Sequence, residues 1–167
     1  MDLTILVFSD SHSSLRYMRC VMDSVQPDAV IHLGDYVCDG EAIASDYPQV
    51  PFYQVAGNCD RYRVTPDFPE TLVEVIGGVR IYMTHGHLQR VKLNRQLLLL
   101  NARKCASQIV LYGHTHAAEC QQLEDGVWLM NPGSCGYGDG FAGCIEIDSD
   151  KNVSCRLISN RDLEEIR

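Results

Sequence analysis

The stretch LTILVFSDSH, residues 3–12, decides the fold. Its first six residues are apolar or β-branched with no regular polar alternation, the pattern of a strand covered on both faces. The next four, Ser9-Asp10-Ser11-His12, put two ligand-type side chains at the strand exit. Beyond them SSLRYMRCVMDSV, 13–25, carries Leu15, Met18, Met22 and Val25 at helical spacing until Pro27-Asp28 ends the run. AVIHL, 29–33, reads as a second buried strand, a weaker helix is expected over 40–46, and PFYQVA, 51–56, is a third strand. Such a βαβαβ opening implies a parallel sheet with helices on its face.

Further along, TLVEVI and VRIYMT flank Gly77-Gly78 and read as a hairpin. VKLNRQLLLLNARKCA, 91–106, is expected to be the longest helix, followed by the strand QIVLY. The runs ECQQLE, VWLM, FAGCIEID and NVSCRLIS read as short antiparallel strands joined by turns. No repeat or linker interrupts the chain, so residues 1–167 are expected to form one domain.

The exit of the first strand is repeated elsewhere. AVIHL is followed by Gly34-Asp35, PFYQVA by Gly57-Asn58-Cys59-Asp60, VRIYMT by His85-Gly86-His87, and QIVLY by Gly113-His114-Thr115-His116. In open α/β sheets, sites form in the crevice beyond the carboxyl ends of the strands. The candidates gathered there are Asp10, His12, Asp35, Asn58, His85, His114 and His116. Seven ligands are too many for one tetrahedral zinc and suit two cations about 3.5–4 Å apart. Carboxylate, imidazole and amide oxygen without thiolate favour Mn²⁺, Fe or Zn²⁺. One carboxylate should bridge, with a hydroxide between the ions as nucleophile, and the expected chemistry is hydrolysis of a phosphate ester.

Bulk properties agree. With 167 residues, 46% hydrophobic and 22% charged, the chain is long enough to bury a core and is not of disordered composition. Only the acidic end RDLEEIR, 161–167, is expected to lack order. A net charge of −8 argues against a stable nucleic-acid complex, since there is no basic surplus to release counterions. LTILVF is too short for a membrane span and Met1-Asp2 is not a basic leader, so a cytoplasmic location is expected. The eight cysteines lack zinc-knuckle spacing and are read mostly as small buried hydrophobes.

The ordered motifs D-S-H, G-D, G-N-C-D, H-G-H and G-H-T-H, with Asn131-Pro132-Gly133-Ser134 as a later turn, resemble the calcineurin-like metallophosphoesterase superfamily. Within it the chain looks most like the small, single-domain microbial phosphodiesterases. The resemblance implies an α/β fold, two mixed β-sheets packed as a sandwich and flanked by helices. It implies Asp10, His12 and His116 on one metal and Asn58, His85 and His114 on the other, with Asp35 bridging. It also implies Mn²⁺ as the favoured activator, with Zn²⁺, Ni²⁺ or Fe as other candidates, and makes Asn58, His85 and Asp35 the catalytic set. Two departures stand out. Cys59 replaces a histidine expected after the ligating asparagine, and Cys38 occupies the place of an acid, with Asp39 displaced by one. A thiol is a poor general acid toward an oxygen leaving group, which puts a small phosphodiester ahead of monoesters as substrate.

Cys59 and His87 are candidate substrate contacts; Cys59 could equally fill space, and His87 could instead support His85. His32 reads as a hydrogen-bonded interior residue. Asp60 is either a plain turn residue or a carboxylate that orients a ligand. Arg61, Arg63, Arg90, Lys92 and Arg95 read as exposed charge rather than phosphate-steering groups. Competing functions are a phosphomonoesterase or pyrophosphate-type hydrolase, and a non-enzymatic protein-binding module on the same fold. A homo-oligomer is compatible with the sequence. A metallo-β-lactamase-type enzyme would need an H-x-H-x-D-H run, which the sequence lacks.

Overall fold

The computed structural model describes residues 2–62, 68–138 and 140–165. In chain order these form β1 (Leu3–Phe8), α1 (Leu15–Val25), β2 (Ala29–His32), α2 (Val37–Asp46), β3 (Phe52–Gln54), a 3-10 turn (Asn58–Tyr62), β4 (Thr71–Ile76), β5 (Val79–Thr84) and α3 (Gln96–Lys104). After them come β6 (Ile109–Leu111), β7 (Glu119–Gln122), β8 (Trp128–Asn131), β9 (Phe141–Ile147), β10 (Val153–Ser159) and α4 (Asn160–Glu165). One sheet has the order β10-β9-β1-β2-β3 and the other β4-β5-β6-β8-β7. Each mixes parallel and antiparallel pairs. The fold is the expected sandwich flanked by helices.

Strand β1 shows why the layers form. Alternate residues point to opposite faces, and here both faces are apolar. Ile5 and Val7 pack with Ile81, Met83, Ile109 and Leu111 of the other sheet. Leu6 and Phe8 pack on Met18 and Val21 of α1 and Ile43 of α2. The second sheet repeats the arrangement outward, Tyr82, Val110 and Tyr112 covering Leu98 and Ala102 of α3. Ile5, Leu6, Val7 and Phe8 are fully buried; truncating one of the larger of these to alanine would cost about 2–5 kcal/mol. Register then aligns the strand ends. Phe8 pairs with His32 and His32 with Gln54, while Met83 pairs with Leu111 and Leu111 with Met130.

Four expectations need correction. The helix expected over 91–106 covers only Gln96–Lys104, nine residues against eleven in α1. Residues before it form turns, Arg90 having φ +54°, and Asn94 Oδ1 accepts the Gln96 N–H at the helix start. The strands after residue 119 are not all antiparallel, for β8 runs parallel to β6. Leu129 and Met130 of β8 face two different cores and need an interior position, which leaves β7, with Gln121 and Gln122 exposed, on the edge. Of the acidic end, residues 166–167 lie outside the described residues, and 161–165 belong to α4. There Asp162 accepts the Ser159 N–H and hydroxyl, the Ser159 oxygen accepts the Asp162 N–H, and Leu163 is buried. Of the cysteines, none of which forms a disulfide, only Cys135 and Cys144 are buried, and Cys59 is exposed. No helix among the described residues is long and apolar enough to cross a membrane.

Candidate metal centre

Strands β1, β2 and β3 of one sheet and β5 and β6 of the other release the candidate ligands at a shared rim. The facing atoms of Asp10, His12 and His116 lie within 4.8 Å of one another, and so do those of Asp10, Asp35 and His85. Asp10 Oδ1 is 3.1 Å from His116 Nε2 and 3.9 Å from His85 Nε2. Asp35 Oδ2 lies 3.5 Å from the same His85 nitrogen, and His114 Nδ1 lies 3.2 Å from it. Asp10 is thus common to both groups, and Asp35 stands in the second, beside His85. Asn58 adjoins Asp35 through the next residue, since the Cys59 N–H donates to Asp35 Oδ1 at 2.9 Å.

The loops that present these groups are bent sharply. Asp10, His12, Asp35, His114 and His116 have φ between +43° and +66°, a region costing about 1–2 kcal/mol for each residue with a Cβ. Buried hydrogen bonds hold them there. Asp60 is the main brace: its carboxylate accepts the N–H groups of Asp35, Tyr36, Val37 and Gly57 at 2.7–3.0 Å. Asp10 Oδ2 accepts the Ser9 hydroxyl at 2.6 Å and the His114 N–H at 3.0 Å, tying β1 to β6. Gly113 permits that approach, because a Cβ there would overlap Ser9 Oγ. Asn131 Nδ2 donates to Gly113 O and Thr115 Oγ1, and the Ser134 hydroxyl donates to Asp10 O. From α2, Asp39 Oδ2 accepts the Ser11 hydroxyl and the Ser13 N–H, each at 2.7 Å.

The electrostatics suit cations. Burial alone would raise the Asp35 carboxyl, but His85 and the Cys59 N–H outweigh it and hold it well below the usual carboxylate range. Burial would lower His85, but Asp35 and Asp10 draw it upward. His114 is pushed down to about 4 by burial and by the charge of His85 and Lys92, and burial also lowers His12. His85 Nδ1 donates to Leu33 O at 2.8 Å; a carbonyl can only accept, so Nδ1 carries a proton, and loss of the second ring proton frees the lone pair on Nε2, the nitrogen that faces Asp35 and Asp10. Three buried polar atoms, Asp10 Oδ1, His12 Nε2 and Asn58 Oδ1, make no hydrogen bond. Orphaned acceptors at this depth are costly unless they bind something positive. The residues present therefore fit divalent cations.

The remaining candidates divide. His87 lies beside the ligands, its ring 5.5 Å from that of His85, and its Nε2 is 3.5 Å from Glu70 Oε1. Burial and the Asp35 carboxylate push the Cys59 thiol up to about 11, so it keeps its proton at neutral pH. His32 is interior as expected, between Ser11 and Gly34. Asp60, 4% exposed, is the orienting carboxylate rather than a surface turn. Arg63 lies outside the described residues. Arg90 and Lys92 are exposed, whereas Arg95 is paired with Glu119 and Tyr112. The bracing roles of Ser9, Ser11 and Asp39 were missed; small hydroxyl residues flanking Asp10 were the available signal.

Comparison with known proteins gives one picture. The family model of the calcineurin-like phosphoesterase superfamily domain matches residues 3–149. The probable metallophosphoesterase YsnB of Bacillus subtilis is 29% identical over 135 residues, covering 79% of this chain and 75% of its own. Phosphodiesterase MJ0936 of Methanocaldococcus jannaschii is 25% identical over 167 residues, with 89% and 95% covered. Among solved structures, a predicted phosphoesterase from Streptococcus pneumoniae superposes with a TM-score of 0.71 at 30% identity, covering 95% of this chain and 98% of that one.

Proposed function

The chain belongs to the calcineurin-like phosphoesterase superfamily, and on that premise we propose that it is a two-metal phosphodiesterase acting on a small diester. The carrying observation is the meeting of ligands from both sheets around Asp10, together with Asp10 Oδ1, His12 Nε2 and Asn58 Oδ1 being buried atoms with no hydrogen bond. Asp10, His12 and His116 would hold one cation, and Asn58, His85 and His114 the other, with Asp35 between them. When bound, such a pair supplies positive charge for the phosphate oxygens and lowers the pKa of water to about 7. Mn²⁺ is the proposed activator.

The protein's own groups set the rest. His85, locked by Leu33, offers Nε2 in one orientation. Asp60 keeps the Asp35 and Asn58 loops in register. Cys59 holds its proton near neutral pH and gives it up poorly, so a departing alkoxide receives little acid assistance. In hydrolysis the P–O bond to the incoming oxygen forms, the ester P–O bond breaks, and the alkoxide leaves with a proton from solvent. Simple alkyl monoesters should suffer most from that lack of acid.

The test uses metal-stripped protein reloaded with Mn²⁺, given bis(p-nitrophenyl) phosphate and separately p-nitrophenyl phosphate. Diester hydrolysis well above monoester hydrolysis, abolished by a chelator, is the expected result. Preference for the monoester would overturn the substrate class. No hydrolysis of either with Mn²⁺, Zn²⁺ or Ni²⁺ would overturn the enzymatic reading.

A further inference from the structure

An exposed tyrosine stands over the candidate ligands on a loop that the motif reading did not use. Tyr137 is 58% exposed, yet its ring is stacked on His116 at 5.4 Å and 21° and leans over His12 at 4.7 Å and 49°. On the other flank Tyr36 meets the His12 ring edge-on at 4.9 Å and 62°. Tyr36, His12, Tyr137 and His116 thus form a continuous aromatic wall at one side of the centre. An aromatic ring left in water on one face and ordered on the other presents a ready stacking surface.

Tyr137 is also held in place. The Tyr137 and Gly136 N–H groups both donate to Ser134 Oγ at 3.1 Å, and that hydroxyl donates to Asp10 O at 2.7 Å. The loop presses so closely on the preceding ligand loop that a Cβ at Gly136 would overlap Ser11 O. One hydroxyl therefore sets the position of Asp10 and of the tyrosine together. A substrate whose phosphate sat at Asp10, His12 and His116 would bring one ester group against Tyr137.

We propose that Tyr137, with Tyr36 on the other flank of His12, is a specificity subsite that stacks a planar aromatic ester group, of the nucleobase or aryl class, on the phosphate substrate. The assignment rests on the phosphoesterase reading above and names the substrate class of that site. Stacking of a base on an aromatic side chain contributes on the order of tenfold to a hundredfold in affinity, and it discriminates by flatness rather than by hydrogen-bond pattern.

The test separates the ring from the phosphate. Calorimetry on Mn²⁺-loaded protein would compare the 5′-phosphonate isosteres of adenosine monophosphate and of ribose 5-phosphate, which have no ester bond to cleave. The wild type should bind the adenosine compound at least tenfold more tightly. Tyr137→Ala should bring that ratio to within about twofold, and Tyr137→Phe should keep it. A wild-type ratio near one overturns the subsite, as does failure of the adenosine compound to bind. A Tyr137→Ala variant that weakens both compounds equally also overturns it, because Tyr137 would then only support His12 and His116. If the ratio behaves as expected but no diester is hydrolysed, the phosphodiesterase reading fails and the subsite stands.

Discussion

Asp60 Oδ2 accepts the backbone N–H of Asp35 at 3.0 Å while the same oxygen takes the N–H of Gly57 at 2.7 Å. One carboxylate oxygen thereby joins the loop after β2 to the loop after β3, and Oδ1 adds the N–H groups of Tyr36 and Val37. The loops that carry Asp35 and Asn58 are held together because of it. Asp60→Asn keeps the shape but turns one acceptor into a donor facing N–H groups. Affinity for Mn²⁺ should fall about 10- to 100-fold, read by calorimetric titration of stripped protein. Asp60→Ala would leave four N–H groups without their acceptor, at about 1–3 kcal/mol for each that stays buried, and should lower the urea midpoint as well. Unchanged Mn²⁺ affinity in both variants would show that the loops hold their form without the brace.

Cys59 follows Asn58 and its N–H is committed to Asp35 Oδ1, so a new side chain at 59 would leave that bond intact. Cys59→His places an imidazole, with a pKa far closer to neutral than a thiol at about 11, where a leaving oxygen could take its proton. General acid catalysis of this kind contributes roughly 10²–10⁴-fold. The kcat/KM for phenyl phosphate should rise at least tenfold, while bis(p-nitrophenyl) phosphate, with its good leaving group, should change little. Equal kcat/KM on phenyl phosphate before and after the substitution would mean that position 59 does not reach the departing oxygen.

His32 gives the pH dependence of stability a sign. The ring is fully buried; Nδ1 accepts the Gly34 N–H at 3.3 Å, and Nε2 lies 3.1 Å from Ser11 Oγ. Burial, opposed by the charges of Asp60, Asp39 and Asp10, lowers its pKa from 6.5 to about 4. As pH falls, the unfolded chain takes up the proton first, near 6.5. Stability is therefore full above 6.5 and is lost progressively down to about 4, by about 3 kcal/mol at the lower end. Urea unfolding of metal-stripped protein between pH 8 and 4 should show this loss, and His32→Gln should flatten the curve by a similar amount. Parallel curves for the two proteins would show that His32 is not the group responsible.

How much was readable depends on whether a feature is local. The run LTILVF could only be a strand apolar on both sides, and it is one, Leu3–Phe8, with Ile5 and Val7 facing one core and Leu6 and Phe8 another. The β4–β5 hairpin around Gly77-Gly78 falls at its expected residues. The helix expected from residue 91 was overextended because Val91 to Arg95 carry helix-compatible side chains. Left-handed Arg90 and the Asn94 cap, both backbone matters, place the start at Gln96. Asp60 could be read either as a turn acid or as an orienting carboxylate; what decides between the two is its bond to a loop twenty-five residues away.

The amino-acid order alone determined which side chains stand at the strand exits, and so the chemistry of the site: carboxylate, imidazole and amide oxygen at five places. That information is local, since a ligand type and a strand end can both be read from a few neighbours. Tertiary structure decided that β1, β2 and β3 end at the same rim as β5 and β6, and that His85 bonds to Leu33 of the opposite sheet. It also decided that five of the seven candidate ligands adopt left-handed backbone, which residues with a Cβ mostly avoid when free to choose. Long-range hydrogen bonds, those of Asp60, Asp39, Asp10, Asn131 and Ser134 among them, offset that cost, and no short window of sequence contains both ends of any such bond.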